Sequence, residues 1–386
     1  MGGEHVSGDG SGGDPGGADG AGGRVASLTL GASPVWAHFT NPPAFGGTDA
    51  TILTEFARLV RDAPATSAIR CAIHSISHLE PADALVDARD RGVDVRVVVD
   101  GNVAVSTADG ARRLRDLGRA VRFCTGNRGG GCVTTNVGNM HAKFLTMGET
   151  TEPDGVARRD VSWFGSSNLT DPSGTKSFNN AITVYEDPAL RAGFDAYFDE
   201  LWSQNHYPSN DFYSAAAGRG YYRGATATIF ASPEANTDLV YSRLNDLTPG
   251  PSCSIRVAQS QFTDGRTRLA DLLVAHKRRG CDVRVAVGLR PDHRPAIGAI
   301  VRARLAGAGI PIRKHHVHSK VVVLAAQFGE QFHHRVYTGS HNWTHSANYD
   351  NDEVFVRMAA ETEISHPLYD AFHGHFNDAY DAGSPV

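Results

Sequence analysis

Two stretches of this chain repeat one another, and that repetition limits what the chain can fold into more than any other feature. Met140-His141-Ala142-Lys143-Phe144-Leu145 is matched by Val317-His318-Ser319-Lys320-Val321-Val322. In each, a histidine and a lysine stand two apart in an apolar run, so at strand periodicity both side chains share a face. Each is followed by Gly-Ser-x-Asn, as Gly165-Ser166-Ser167-Asn168 and as Gly339-Ser340-His341-Asn342. The His and Lys copies lie 177 residues apart and the Gly and Asn copies 174. A closing apolar stripe, Leu190, Phe194, Phe198 and Trp202, recurs 178 residues later as Leu368, Phe372, Phe376 and Tyr380. Near-constant offsets over separate motifs mean duplication. A period this long is not that of a solenoid, so two pseudo-symmetric domains are expected.

Within each copy, apolar runs of strand length alternate with segments of helical spacing. Ala68–Ile73 and Val93–Val99 read as strands, and Pro81–Arg91, ending at Gly92, as the helix between them. Pro188–Ser203 reads as a helix with its apolar stripe on one side. The second copy keeps the order, including Arg-Gly-x-Asp-Val-Arg-Val at 91–97 and 279–285. The expectation is α/β: two tandem domains, each a mostly parallel sheet covered by helices. Residues 1–30 form a Gly-rich, disordered leader, 31–210 the first domain and 211–386 the second. The loop Thr125–Gly131 holds four glycines in seven residues and suits either close backbone approach near His141 or a flexible surface.

The net charge of −5 gives no general attraction to nucleic acid or to an anionic membrane, although a local basic cleft could lie within an acidic average. No run is long enough to span a bilayer, and the N-terminus lacks the pattern of a secretory signal, so the chain as it stands reads as cytoplasmic. The five cysteines complicate that reading. Cys124 and Cys132 flank the Gly-rich loop, Cys253 and Cys281 open two strands, and Cys71 is left over. Free thiols are one alternative; if the two pairs are oxidised, the compartment is extracytoplasmic. No Cys/His spacing suggests zinc.

If the two copies face each other, His141 and His318 can divide the roles of nucleophile and general acid, since imidazole titrates near neutrality. Lys143, Lys320, Asn168 and Asn342 add cationic and neutral donors suited to a tetrahedral anion gaining charge during displacement. Together they fit phosphoryl or phosphatidyl transfer without a metal or other cofactor. Ser166 and Ser340 are candidate substrate contacts, or caps of a turn.

The doubled His-x-Lys with Gly-Ser-x-Asn resembles the paired signatures of the phospholipase D superfamily, over about residues 35–386. The resemblance implies two α/β/α sandwich domains about a pseudo-twofold axis, with one active site at their interface. It also implies a two-step mechanism through a phosphohistidine: His141 as nucleophile, His318 as general acid and base, water or an alcohol as acceptor, and a phospholipid or related phosphodiester as substrate. A monomer is expected. A nuclease of the same superfamily is the rival, and a silent or reassigned scaffold a further one; nucleic acid is not the expected partner.

The chain departs from the family pattern at Gly148 and Ala325, where the signature His-x-Lys-x4-Asp has aspartate. The loss is expected to alter the local scaffold and leave the chemistry possible. The family also carries a carboxylate that can hold the imidazole through its second ring nitrogen. The second copy supplies Glu353 within Asn351-Asp352-Glu353, while the first reads Asn179-Asn180-Ala181 with no carboxylate. The two histidines are therefore expected to differ in basicity. His315, His316, His341 and His345 read as rim or surface residues, and Trp163 and Trp343 as packing or cleft-lining.

Overall fold

The computed structural model describes residues 23–42, 47–125, 130–134 and 138–386. Most of the expected leader and the centre of the Gly-rich loop lie outside these. In the first half the strands are β1 (Arg24–Leu30), β2 (Ser33–Thr40), β3 (Ala68–Ile73), β4 (Asp94–Val99), β5 (Val121–Phe123), β6 (Lys143–Thr151), β7 (Ala157–Gly165) and β8 (Asn179–Val184). The second half supplies β9 (Tyr221–Arg223), β10 (Ala227–Ser232), β11 (Ser254–Gln259), β12 (Asp282–Val287), β13 (Ile312–Lys314), β14 (Lys320–Phe328), β15 (Gln331–Gly339), β16 (Glu353–Met358) and β17 (Ser384–Pro385). The helices are α1 (Thr51–Arg61), α2 (Leu79–Asp90), α3 (Asp109–Leu114), α4 (Pro188–Ser203), α5 (Leu239–Asn245), α6 (Thr267–Arg278), α7 (Ala299–Gly307), α8 (His345–Tyr349) and α9 (Pro367–Asp381).

The first sheet runs β1-β2-β8-β7-β6-β3-β4-β5, and the second β9-β10-β16-β15-β14-β11-β12-β13-β17. Apart from the terminal β17 the two orders are the same, so the duplication written in the motifs holds for the whole topology. The sheets are mixed and not mostly parallel. Only β3-β4-β5 and β11-β12-β13 pair in parallel, each step bridged by a crossover; the remaining pairs are antiparallel. The reason lies in connection length, because β6 reaches β7 through a turn too short for a crossover. The polar stretch at 149–159 forms the end of this hairpin.

Residues 24–30, expected in the leader, form β1 instead. Alternation explains it: Ala26, Leu28 and Leu30 pack on the core while intervening residues face solvent, and Arg24 pairs with Asp378 at 2.9 Å.

Three cores give the layers. One lies between the first sheet and α1–α3, and one between the second sheet and the helices α5–α7. The third fills the space between the two sheets, where the stripes of α4 and α9 meet β2, β6, β14 and β16. Phe39 of β2 meets Phe372 of α9 edge-on at 4.9 Å between ring centres, joining the halves. Each domain is thus an α/β/α sandwich, and the two share their inner helical layer.

Both candidate cysteine pairs are disulfides, Cys124–Cys132 and Cys253–Cys281. The second ties the entries of neighbouring β11 and β12. Cys71 is a buried free thiol, and burial pushes its proton affinity up. Among the described residues no helix is long and apolar enough to cross a membrane.

Candidate active site

Each histidine sits immediately before a strand, at the seam between the halves, and its backbone is held by the other half. His141 N donates to Asp352 O (2.8 Å) and Asp352 N to Asn139 O (2.9 Å). Symmetrically, His318 N donates to Phe178 O (2.9 Å) and Phe178 N to His316 O (2.8 Å). The sequence offsets of 177 and 174 residues carry one set onto the other.

The side chains follow the same exchange. His141 Nδ1 donates to Glu353 Oε2 at 2.8 Å, so a carboxylate of the second half orients the imidazole of the first. His318 Nδ1 donates to Asn179 Oδ1 at 2.9 Å, so a carboxamide of the first half orients the imidazole of the second. Both bonds place the ring proton on Nδ1 and leave Nε2 as the unprotonated nitrogen. Asn179 cannot turn its amide round, because Nδ2 donates to Ser177 O (3.2 Å) and to Ser173 O. The residue opposite Glu353 is therefore Asn179 and not Ala181, at the same offset of 174 as the Gly-Ser-x-Asn pair. Glu and Asn in equivalent slots make the two imidazoles chemically unequal.

Ser166 and Ser340 contribute behind the histidines. Ser340 Oγ donates to Glu353 Oε2 and accepts from Val354 N; Ser166 Oγ donates to Asn179 Oδ1 (3.0 Å) and accepts from Asn180 N (3.0 Å). Both hydroxyls are fully buried, which suits fixing the partner of each imidazole. Asn168 donates from Nδ2 to Ser173 Oγ (3.1 Å), and Asn168 and Asn342 each bury an amide oxygen with no hydrogen-bond partner among the described residues. Among the described residues neither asparagine bonds to an imidazole or a lysine of the motifs.

The lysines are the electrostatic centre. Lys143 Nζ donates to His141 O (2.6 Å) and Lys320 Nζ to His318 O (2.5 Å), and the Lys320 ammonium lies 3.1 and 3.2 Å from the two ring nitrogens of His318. Burial pulls Lys143 down to about 7, against the pull of Glu353 and Asp100. Lys320 also falls well below its ordinary range, by burial and then by Lys143. Burial, then Lys143 and Lys320, hold His141 far below the usual imidazole range. His318 is lowered by burial, then by Lys320, Lys143, His141 and His74. Mutual influence of this kind puts both imidazoles and both ammoniums in one site. Burial thus works against the charged form of all four groups, and an anion bound among them would favour it.

Four residues outside the sequence candidates for the site complete it. His74 follows β3, with its ring 4.7 Å from that of His141 and Nδ1 3.1 Å from Met140 O. Its position just beyond a parallel strand is the available signal. Asn179 is marked only by its match to Glu353. Asp352 is fully buried and accepts from the backbone N–H groups of Cys132, Val133 and Thr134; burial still pushes it up to about 7. His341, expected at the rim, is only 2% exposed. Among the described residues neither ring nitrogen has a hydrogen-bond partner, and burial drives it down to about 4 with Glu353 opposing. The x position of the motif is buried in both copies, as Ser167 and His341, whereas His316 and His345 are exposed.

Gly148 and Ala325 lie five residues beyond the lysines on β6 and β14, roughly 16 Å along the strand. The missing aspartates are therefore remote from the imidazoles, and Ala325 is packed in the central core. Trp163 and Trp343 are buried against Phe56 and Phe262. Among the described residues no group of three or more His, Cys, Asp or Glu is arranged to hold a metal ion.

The family model for the cardiolipin synthase, phospholipase D-like domain matches the chain twice, over residues 63–202 and 251–377. A mitochondrial cardiolipin hydrolase of Chlamydomonas reinhardtii is 28% identical over 138 residues, 36% of this chain; the match spans about half (52%) of that relative. Phosphatidylserine synthase of Haemophilus influenzae has the same fold at 11% identity, with a TM-score of 0.58 over 90% of this chain and 89% of its own. The Nuc protein of Salmonella typhimurium, a phospholipase D family member, aligns at 25% identity over 42% of this chain and 97% of its own, with a TM-score of 0.32.

Proposed function

Because the chain belongs to the phospholipase D-like family, matched in both halves, we propose that it is a phosphodiesterase that opens a phospholipid or related small phosphodiester through a phosphohistidine, without a metal. The observation that carries this is the pair of imidazoles whose Nδ1 protons are fixed by Glu353 and Asn179, set among two lysines whose charge burial disfavours. A phosphodiester brings negative charge that favours the ammonium forms, and its non-bridging oxygens gain more as phosphorus becomes pentacoordinate.

His141 Nε2 attacks phosphorus while His318 gives its proton to the leaving alkoxide. The N-phosphorylated His141 keeps its Nδ1 proton and hence a positive charge, which Glu353 stabilises. Asn179 offers His318 a hydrogen bond without a charge, so His318 releases its proton more readily. Neutral again, His318 takes the proton of water or of an acceptor alcohol, whose oxygen displaces His141. Bound anion reverses part of the depression on His318, so it is charged when substrate is present.

The domain division near residue 210, monomeric action and a phospholipid substrate belong to the same reading; the names of the matched family model and of the Chlamydomonas relative support the lipid. The two disulfides support an oxidising compartment over the cytoplasm. The decisive experiment is a screen of phospholipids, small diesters and nucleic acids with product identification, with and without added alcohol and chelator. Turnover lost in both His141→Ala and His318→Ala, and unaffected by chelator, is the expected result. Exclusive cleavage of nucleic acid would establish the nuclease alternative, and no turnover of any substrate the silent scaffold. Label trapped on the peptide holding His318 would reverse the roles of the histidines.

A further inference from the structure

On the outer face of the second sheet, one row of cross-strand partners reads Arg223 (β9), Thr228 (β10), Arg357 (β16) and Tyr337 (β15). Directly opposite residues share a face, and Arg335, two before Tyr337, shares it too. Three arginines thus line a cavity of about 240 Å³, together with Gly224, Ala225 and Met358. None of the three forms an ion pair among the described residues. Arg243 of α5 reaches the same region but is matched by Asp246 at 3.2 Å. Arg357 makes a long hydrogen bond, Nη2 to Thr228 Oγ1 at 3.4 Å, and lies 6.0 Å from the centre of the Phe230 ring. Arg335 lies over the Phe328 ring at 3.6 Å and buries its Nε without a partner. Burial, then Arg335 and Arg243, disfavour the charge on Arg357, with Tyr337 opposing.

The duplication supplies an internal control. The equivalent row of the first sheet is Ser27, Trp36, Thr183 and Trp163, with Val161 in the place of Arg335. There α1 spans 11 residues and seats Phe56 against Trp163; the matching α5 has only 7. The fold therefore needs no cation at this position, and the second half has both opened the space and placed arginines around it. Like charges gathered without a counter-charge cost stability unless an anion joins them, and planar guanidinium forks suit phosphate oxygens.

We propose that this cavity binds a phosphate dianion, either free or as the headgroup of an anionic lipid, at a site separate from the two His-x-Lys motifs. Arg357 lies four residues along β16 from Glu353, about 13 Å, with Phe355 between them on the same face.

Titration calorimetry with inorganic phosphate tests this on the full chain. Lys143→Ala/Lys320→Ala, which removes the anion affinity of the catalytic centre, is compared with the same protein also carrying Arg335→Gln/Arg357→Gln. One phosphate per chain in the first, weakened about tenfold or more in the second, is expected. Equal affinity in both overturns the proposal. Should the lysine variants not fold, stoichiometry in the otherwise unaltered chain decides: a fall from two phosphates to one on Arg335→Gln/Arg357→Gln supports the site, and an unchanged count overturns it. Turnover of a generic diester by Arg335→Gln/Arg357→Gln stays at the unaltered rate, which separates this outcome from failure of the proposed reaction. Cosedimentation with phosphatidate vesicles but not phosphatidylcholine vesicles, lost in Arg335→Gln/Arg357→Gln, assigns the lipid source; phosphate binding without cosedimentation assigns the free anion. Neither binding nor cosedimentation in the unaltered chain overturns both.

Discussion

Replacing Glu353 with Gln keeps shape and volume and removes only charge, so it isolates what the carboxylate does for His141. In the structure, Glu353 Oε2 accepts from His141 Nδ1 and Ser340 Oγ, and Oε1 accepts from Asn351 Nδ2 at 3.2 Å. All three neighbours are donors. A carboxamide therefore sets its NH2 either against Asn351 or against His141 and Ser340, and the second choice drives the imidazole into the wrong tautomer. Asn179 escapes this conflict because two carbonyls hold its NH2. Two unit charges about 4 Å apart attract by about 4 kcal/mol at an effective dielectric of about 20. A hydrogen bond to the neutral amide restores about 1 kcal/mol of that. The net loss of about 3 kcal/mol, felt when His141 becomes cationic, corresponds to a fall of roughly 100-fold in kcat. Rapid-quench measurement of phosphoenzyme formation on an activated aryl diester reads the step directly. A rate within about threefold of the unaltered protein, with the same pH profile, would refute the assignment of Glu353 as the charge behind the nucleophile.

Asn179→Asp performs the opposite change: a carboxylate beside His318 raises its proton affinity, so the alkaline limb of the kcat profile moves upward by about one pH unit or more, and an unmoved limb would argue against His318 as the acid. Cys124→Ser/Cys132→Ser frees the segment whose N–H groups hold Asp352, the residue before Glu353; unfolding midpoints in urea fall by about 2–3 kcal/mol equivalent and kcat falls with them. Cys253→Ser/Cys281→Ser, at the strand entries, lowers stability and leaves kcat unchanged. Lys143 is depressed from 10.5 to about 7 in the folded chain, so the unfolded chain binds more protons between those values. Its contribution to stability is present above 10.5 and lost as pH falls through about 7. Bound anion restores the ammonium, so in the Arg335→Gln/Arg357→Gln background phosphate raises the melting temperature more near pH 7 than near pH 9.5; equal shifts at the two would contradict a depressed Lys143.

Much of this was legible because duplication makes each residue a check on its partner. His141 with His318, and the helix Pro188–Ser203 with its stripe, stand where pattern places them. Three things were hidden for physical reasons. The strand at 24–30 sits beside a Gly-rich stretch, so its weak alternation was absorbed into the composition around it. The sheets read as mostly parallel because buried apolar runs look alike in either direction, and only the short turn after Thr151 betrays the hairpin. His74 carries no pattern of its own, and the burial of position 341, shared with Ser167 in the other copy, shows only in the folded chain. Residue type announced the chemistry; which group faces which could only come from the folded chain.

The exchange of clamps across the seam has a consequence for how such a protein can change. A substitution at position 179 alters the imidazole at 318, and one at 353 alters the imidazole at 141, so each copy drifts under constraints imposed by its twin. Severing the chain near residue 210 would yield two fragments, each with a properly spaced motif and an untethered ring. Reactivity would return only on mixing them, and a fragment from one lineage could be tuned by its mate from another.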